Sequence, residues 1–333
     1  MSAVTGPRLV LLVGAPRSGT TWLQSMLGAH PSIATPQETD LFSRYIGPLA
    51  EAWSWQLRGG PEAWRQRRYK GLPAVLTTVE FTELVRGVIE TALNGIAGLE
   101  PEASVLLEKS PSHSVCADVV AAYAPEARVI HLIRDGRDVA SSLIGAADGW
   151  GRGWAPRTLK DAARAWVENV RGAQQYRKLG FVYHEVRYEA LAEADPHVLR
   201  GVYAFCGFDV DVDECARLYK QYGLDAMRGG AEDPIVLGGE FAPYSAERTE
   251  PAGFFGPGTI GGWRDSWSSD DLLLFRAIAG PLLEQLGYEQ NGKWAAGTTR
   301  GLTYAAGVAA RRALAGAARR VGRAGDRVGR DLP

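Results

Sequence analysis

Between Val13 and Trp22 the chain reads VGAPRSGTTW, a run composed of the residue types that hold an anion. Gly14 and Gly19 allow the backbone to approach a ligand closely. Successive N–H groups of such a turn, with the start of the helix after it, supply partial positive charge. Ser18, Thr20 and Thr21 add hydroxyl donors, and Arg17 adds a full charge in a planar fork that suits phosphate or sulfate. The spacing nearly matches the P-loop G-x-x-x-x-G-K-[ST], but Thr20 occupies the lysine position and the cation stands at Arg17. A P-loop lysine reaches the β- and γ-phosphates while its Ser or Thr holds Mg²⁺. Without that lysine, and with no clear aspartate ending a buried strand, triphosphate hydrolysis is disfavoured, whereas a diphosphate-like group still fits. A structural strand-to-helix turn is the alternative reading of the same loop.

Such a loop works only between a strand and a helix. RLVLLVG (Arg8–Gly14) is a short continuous apolar run, as expected of a parallel strand buried on both faces. SGTTWLQSMLGAHP predicts the helix, with Gly28 and Pro31 marking its end. Further strands are predicted at Ser104–Lys109, Ala127–Arg134 and Gly180–Tyr188, and helices at DGRDVASSLIG, Arg157–Leu179, HVLRGVYAFCGF, DVDECARLYKQYGL and Ser268–Tyr288. Strands alternating with helices imply a parallel sheet with helices on both faces. Ligands of such sheets bind at the carboxyl ends of the strands. Gly14 to Ser18, Lys109 and Arg134 each follow a predicted strand and so converge on one edge.

The bulk properties agree with a large α/β protein. The chain has 333 residues, 46% hydrophobic and 23% charged, with a net charge of -1, which excludes a generally basic nucleic-acid binder. Three cysteines without C-x-x-C spacing argue against a disulfide framework and a zinc site, and predict a reducing cytoplasm and no metal. The apolar run before Gly14 is too short for a signal sequence. No apolar run approaches the roughly 18 residues of a membrane span.

The motifs resemble those of the sulfotransferase family, which uses 3′-phosphoadenosine 5′-phosphosulfate (PAPS). PRSGTTW (Pro16–Trp22) is similar to the family's 5′-phosphosulfate loop, and VIHLIRDGRDVASSL (Val129–Leu143) to its second signature, an Arg and, eight residues on, a Ser: Arg134 and Ser142. The resemblance runs over roughly residues 8 to 290. Its closest motif spacing is to tyrosylprotein, glycan-type and bacterial members. It implies a three-layer P-loop-like α/β fold, a central parallel sheet flanked by helices. It also implies that Arg17 is the cation beside the phosphosulfate and that Ser18, Gly19, Thr20 and Thr21 wrap the 5′ group. Trp22 would stack near the adenine, Arg134 and Ser142 hold the 3′-phosphate, and Tyr188 in RYEAL lie near the adenine. A 3′-phosphate distinguishes PAPS from ATP, and an Arg with a hydroxyl makes charge-assisted bonds to it; a surface role in the RDGRD turn is the alternative for Arg134. Arg137, Asp135 and Asp138 are read as serving that turn and its ion pairs. GTIGGWRD (Gly258–Asp265) resembles a further element near the 3′-phosphate, but Gly256–Pro257 replace its basic residues. Arg264 is a candidate contact there, with a structural role as the alternative.

Transfer to a hydroxyl requires removal of the acceptor proton, and a cation beside the bridging oxygen stabilises the charge that develops. Arg17 suits that role, with Lys109 in LEKSP assisting by likeness to glycan members; a strand-end ion pair of Glu108 is the alternative for that run. Cytosolic members carry a His two residues after this lysine. Here Pro111 occupies that position and His113, the alternative base, is out of register. The RSGTT…AHP…ET spacing resembles that of tyrosylprotein members and assigns the base to Glu38. A carboxylate in that role needs a raised pKa or strong alignment, and partial burial beside the aromatic segment is expected to provide it. A helix-capping role with Thr39 and Asp40 is the alternative.

The expected organisation is one catalytic domain over 1–295 and a basic tail over 296–333. Within the domain, a helical aromatic-rich insertion at about 40–100 and a Gly/Pro-rich loop at about 229–263 face the acceptor. A glycan, a glycolipid and a small natural product all suit the Trp and Arg mixture of Glu51–Gly71, which also reads as a solvated amphipathic helix. The tail reads either as solvated or as a weak contact with an anionic membrane surface. A small-molecule P-loop kinase and a non-catalytic nucleotide-binding protein are the rival functions.

Overall fold

The computed structural model describes residues 6–58, 71–229, 235, 237–247, 250–251 and 253–290. The basic stretch within Glu51–Gly71 and the tail lie largely or wholly outside these residues. The described parts fall into two compact units, Met1–Arg134 with Glu168–Gly258, and Asp135–Val167 with Thr259–Pro333.

The first unit holds a five-stranded sheet. Its strands are β1 (Arg8–Val13), β2 (Ile33–Ala34), β3 (Val105–Lys109), β4 (Arg128–Ile133) and β5 (Val182–Arg187), in the order β2-β3-β1-β4-β5. Every pairing is parallel: Arg8 sits opposite Val105, Val10 opposite Arg128, Ile33 opposite Val105 and Arg128 opposite Val182. Parallel pairing delivers the chain after β1, β3 and β4 to one edge, so the loop at Gly14, Lys109 and Arg134 share it.

Alternation splits the strand side chains between two cores. Val10, Leu12, Leu107, Ile130 and Leu132 pack with Trp22, Leu23 and Met26 of α1 (Thr20–Gly28) and with Leu199 and Tyr203 of α8 (Pro196–Cys206). That face is continued by α7 (Tyr188–Ala192), α9 (Val212–Tyr222) and α10 (Leu224–Arg228). Leu9, Leu11, Val13 and Val129 pack on the other face. Their partners include Phe42, Trp53 of α2 (Gly47–Leu57), Phe81 and Val85 of α3 (Thr78–Ala97), Val120 of α4 (Ala117–Tyr123) and Tyr176 of α6 (Leu159–Lys178). Burying each large apolar side chain stabilises the fold by roughly 1.5–3 kcal/mol, and β1 buries five in succession. The result is the expected three layers.

The second unit contains α5 (Gly136–Ala147), the first residues of α6, α11 (Trp263–Ser266) and α12 (Ser269–Gln285). Capping boxes start α3 at Thr77 and Glu80 and α12 at Ser268 and Asp271, each contributing about 1 kcal/mol. α4, α7, α10 and α11 are not predicted from the sequence, and two further elements are unusual in kind. β2 is only two residues long, too short to carry an alternation signal. Leu41–Ile46 forms a π-helical turn leading into α2.

Candidate active site

The loop after β1 is built to leave donors available. Gly19 takes φ 94°, and α1 starts with no side chain capping it. A Cβ at Gly19 would lie 2.7 Å from the Tyr188 ring, so only glycine fits both the angle and the space. Arg17 also lies in the left-handed region at φ 73°, a conformation that costs an L-residue about 1–2 kcal/mol. The Ser18 hydroxyl is buried, with no hydrogen-bond partner among the described residues. Burying an unsatisfied hydroxyl costs about 1–3 kcal/mol, which an anion in the loop would offset. Ser114 clamps the loop from below, its Oγ accepting from the Gly14 N–H at 3.0 Å and donating to the Gly14 carbonyl.

Arg17 Nη2 donates to the Phe254 carbonyl at 2.7 Å, and the guanidinium lies 5.3 Å from the Phe254 ring centre. Burial, with the nearby charge of Arg134, pushes its pKa down to about 10, against the opposing pull of Glu250 and Tyr188. Arg134 is buried; its Nη1 donates to the Arg17 carbonyl at 3.2 Å and its guanidinium stacks 4.1 Å from the Tyr188 ring centre. The Tyr188 hydroxyl donates to the Gly258 carbonyl at 2.9 Å. Arg17, Arg134 and Tyr188 thus form one cationic patch with an aromatic face. Thr20 and Trp22 are buried behind the loop. The Trp22 indole N–H donates to the Tyr222 carbonyl, and the ring meets Tyr188 edge-on at 5.8 Å, so it packs in the core.

Lys109 joins the loop to Glu38. Its ammonium is buried, donates to Thr21 Oγ1 at 3.2 Å and ion-pairs with Glu38 Oε1. The Glu38 side chain is 39% exposed, and the lysine gives it alignment. A loop hydroxyl, a buried cation and a solvent-facing carboxylate therefore converge at the carboxyl ends of β1 and β3.

His113 has no exposure. Its Nε2 accepts from the Phe42 N–H at 3.0 Å, which leaves the ring proton on Nδ1, 2.7 Å from Glu108 Oε2. Both nitrogens are engaged in packing, away from solvent. Burial alone would raise the Glu108 carboxyl; His113 beside it and hydrogen bonds from Ser110 and Thr39 outweigh burial and hold it below the usual carboxylate range.

In the second unit, Ser142 is half-buried on α5. Arg264 is exposed and stacks 4.5 Å from the Trp263 ring centre. The turn residues behave as read: buried Arg137 bonds Asp135 at 2.7 Å, pairs with Glu289 and lies 4.0 Å from the Trp263 ring centre. Asp138 does more than serve its turn. Its carboxylate accepts from the N–H groups of Gly261 at 2.7 Å and Trp263 at 3.3 Å, fixing the GTIGGW run. No local sequence signal links positions so far apart. Among the described residues, no group of three or more His, Cys, Asp or Glu could hold a metal, and no helix is long and apolar enough to cross a membrane.

A parallel sheet with a glycine loop and two arginines at its carboxyl edge defines a three-layer α/β protein of P-loop-like build. The chain belongs to the sulfotransferase family, whose model matches residues 7–212. It is 30% identical over 136 residues to protein-tyrosine sulfotransferase 1 of Danio rerio, covering 41% of this chain and 35% of that protein. It is 28% identical over 213 residues to an uncharacterized protein of Aquifex aeolicus, covering 60% of this chain and 25% of that one. The matches thus span about a quarter to a third of the length of these relatives. In three dimensions it is similar to mouse sulfotransferase SULT7A1 complexed with PAP, at TM-score 0.52 and 14% identity, over 86% of this chain and 88% of that one.

Proposed function

We propose that this protein transfers a sulfuryl group from PAPS to a hydroxyl of a glycan, glycolipid or small natural product. The observation that carries the reading is Lys109 bridging Thr21 of the loop and Glu38. That bridge sets a proton acceptor beside an anion loop. The catalytic domain is read as residues 1–295.

The residues present fit PAPS. The uncapped start of α1, the buried Ser18 hydroxyl, Gly19, Thr20 and Thr21 suit its 5′ phosphosulfate end. Arg134 suits a 3′-phosphate; Ser142 and Arg264, which belong to the second unit, are proposed for that phosphate from the motif alone. Tyr188 offers an aromatic face on the adenine side, backed by Trp22. Glu38 takes the acceptor proton as the acceptor oxygen bonds to sulfur. The sulfur–oxygen bond to the 5′-phosphate breaks, leaving PAP and a sulfate ester. Arg17 and Lys109 stabilise the charge that grows on the bridging oxygen. The chemistry calls for no metal.

Two measurements test this. PAP should raise the melting temperature without Mg²⁺, and ATP should not; a Mg²⁺-dependent ATP response would favour a kinase. In an acceptor screen with labelled PAPS, Glu38→Gln should lower turnover by about 10²–10⁴-fold with PAP stabilisation intact. Full turnover in that variant removes Glu38 from the mechanism.

A further inference from the structure

The peptide that carries Glu38 is held by side chains of the β3 exit. Thr39 Oγ1 donates to Glu108 Oε1 at 2.7 Å, and the Thr39 N–H points to the same oxygen at 3.4 Å. Ser110 Oγ donates to Glu108 Oε1 at 2.6 Å and accepts from the Asp40 N–H at 3.0 Å. Thr39 Oγ1 accepts from the Leu41 N–H at 3.2 Å, and His113 Nε2 accepts from the Phe42 N–H at 3.0 Å. Four consecutive N–H groups at the start of the π-helical turn thus meet side-chain acceptors, three of them supplied by residues 108–113. A helix start without such partners leaves these donors orphaned. The turn also passes through Asp40 at φ 51°, a left-handed conformation that must be held in place.

Two adjacent residues of one segment face two adjacent residues of the other. Glu38 meets Lys109 and Thr39 meets Glu108. The first rung faces the loop and solvent. The second is sunk beneath it, with Glu108 1% exposed. We infer that Glu108 and Thr39 are positioning residues for Glu38: their buried rung fixes the peptide from which the Glu38 carboxylate reaches Lys109. Among the described residues, the side-chain hydrogen bonds of Thr39 and Glu108 go to each other, to Leu41, to Ser110 and to His113, not to the loop that would hold the nucleotide. Glu108 is therefore not a second base but the anchor of the first, and His113 acts through it. The effect on turnover, though not on position, rests on the reading of Glu38 as the base.

The test separates the two. Thr39→Val removes the hydroxyl and keeps the shape; Thr39→Ser restores the hydroxyl. Crystal structures of both variants, with PAP titrations by calorimetry, supply readouts that need no acceptor. In Thr39→Val the Glu38 carboxylate should leave Lys109 by more than about 1 Å, and in Thr39→Ser it should return. PAP affinity should stay within about threefold in both. A displacement of this size corresponds to a turnover loss on the order of 100-fold. An unmoved Glu38–Lys109 contact in Thr39→Val overturns the inference, as does a PAP affinity lost in parallel, which would mark a general collapse of the site. Full turnover in Glu38→Gln would instead sink the base assignment and leave the positional result to be judged alone.

Discussion

Arg17 and Arg137 carry the same charge in two differently built surroundings. Arg137 is buried against carboxylates that belong to the fold. Burial acts to lower its pKa, but hydrogen bonds and charge from Asp135 and Glu289 outweigh burial and raise it. Arg17 sits against a carbonyl, an aromatic ring and a second arginine, and is pushed down to about 10. The first guanidinium is stabilised by groups the fold supplies. Around the second, Glu250 and Tyr188 pull the pKa up but do not outweigh burial and Arg134; under the proposed function an anion from outside adds to that pull. Under the proposed function the contrast is between an arginine that holds structure and one that serves a ligand, although both stand in turns that contain arginine and glycine.

The largest expected effect breaks the structural arm. Arg137→Met leaves Asp135 and Glu289 without their cation and should cost about 3–5 kcal/mol of stability, read by chemical denaturation. An unchanged unfolding midpoint would remove Arg137 from the groups that hold the fold. A smaller effect is expected on the ligand arm. Arg17→Ala should weaken PAP by about 10- to 100-fold, a charged hydrogen bond being worth about 1.5–3 kcal/mol, with the melting temperature of the ligand-free protein nearly unchanged. If the melting temperature falls as far as in Arg137→Met, the two arginines are not different in kind. The finest distinction is in pH. A bound anion favours charged Arg17 and raises its pKa, so PAP affinity should be level below about pH 9 and decline as pH rises through about 10. Arg17→Lys starts from about 10.4 and loses charge earlier under the same burial, so its decline should begin at lower pH. Coincident profiles would remove Arg17 from the anion site.

Much of this was legible in the chain. β1, the start of β3 and most of β4 are apolar runs, β5 is a mixed run rich in β-branched and aromatic residues, and each predicted stretch contains its strand. The site loop was legible because glycines, hydroxyls and a cation occur together where a strand ends. What the sequence hid is long-range. Glu108 and Lys109 stand side by side at the end of a buried strand, and two polar residues there signal a demand for partners. Nothing local says that Thr39 and Glu38 are those partners. His113 looked like a spare base because its residue type is common in catalysis; only its burial and its two occupied nitrogens give it another task. Nor does the sequence say how the aromatics near Glu38 divide: Phe42 and Trp53 turn into the core, and Tyr45 and Trp55 are exposed.

The order of the sheet has a consequence in time. β1 leaves a ribosome well before the strands it pairs with, β3 and β4, whose Val105 and Arg128 lie opposite Arg8 and Val10. The glycine loop therefore emerges long before anything exists to hold it. Ser114, which clamps Gly14, and Lys109, which meets Thr21, both arrive about a hundred residues later. Non-local pairings of this kind fold slowly, because the chain is closed into a long loop before any contact rewards it. The nascent chain must carry an unpaired apolar strand through that interval, which is the period of greatest exposure to aggregation.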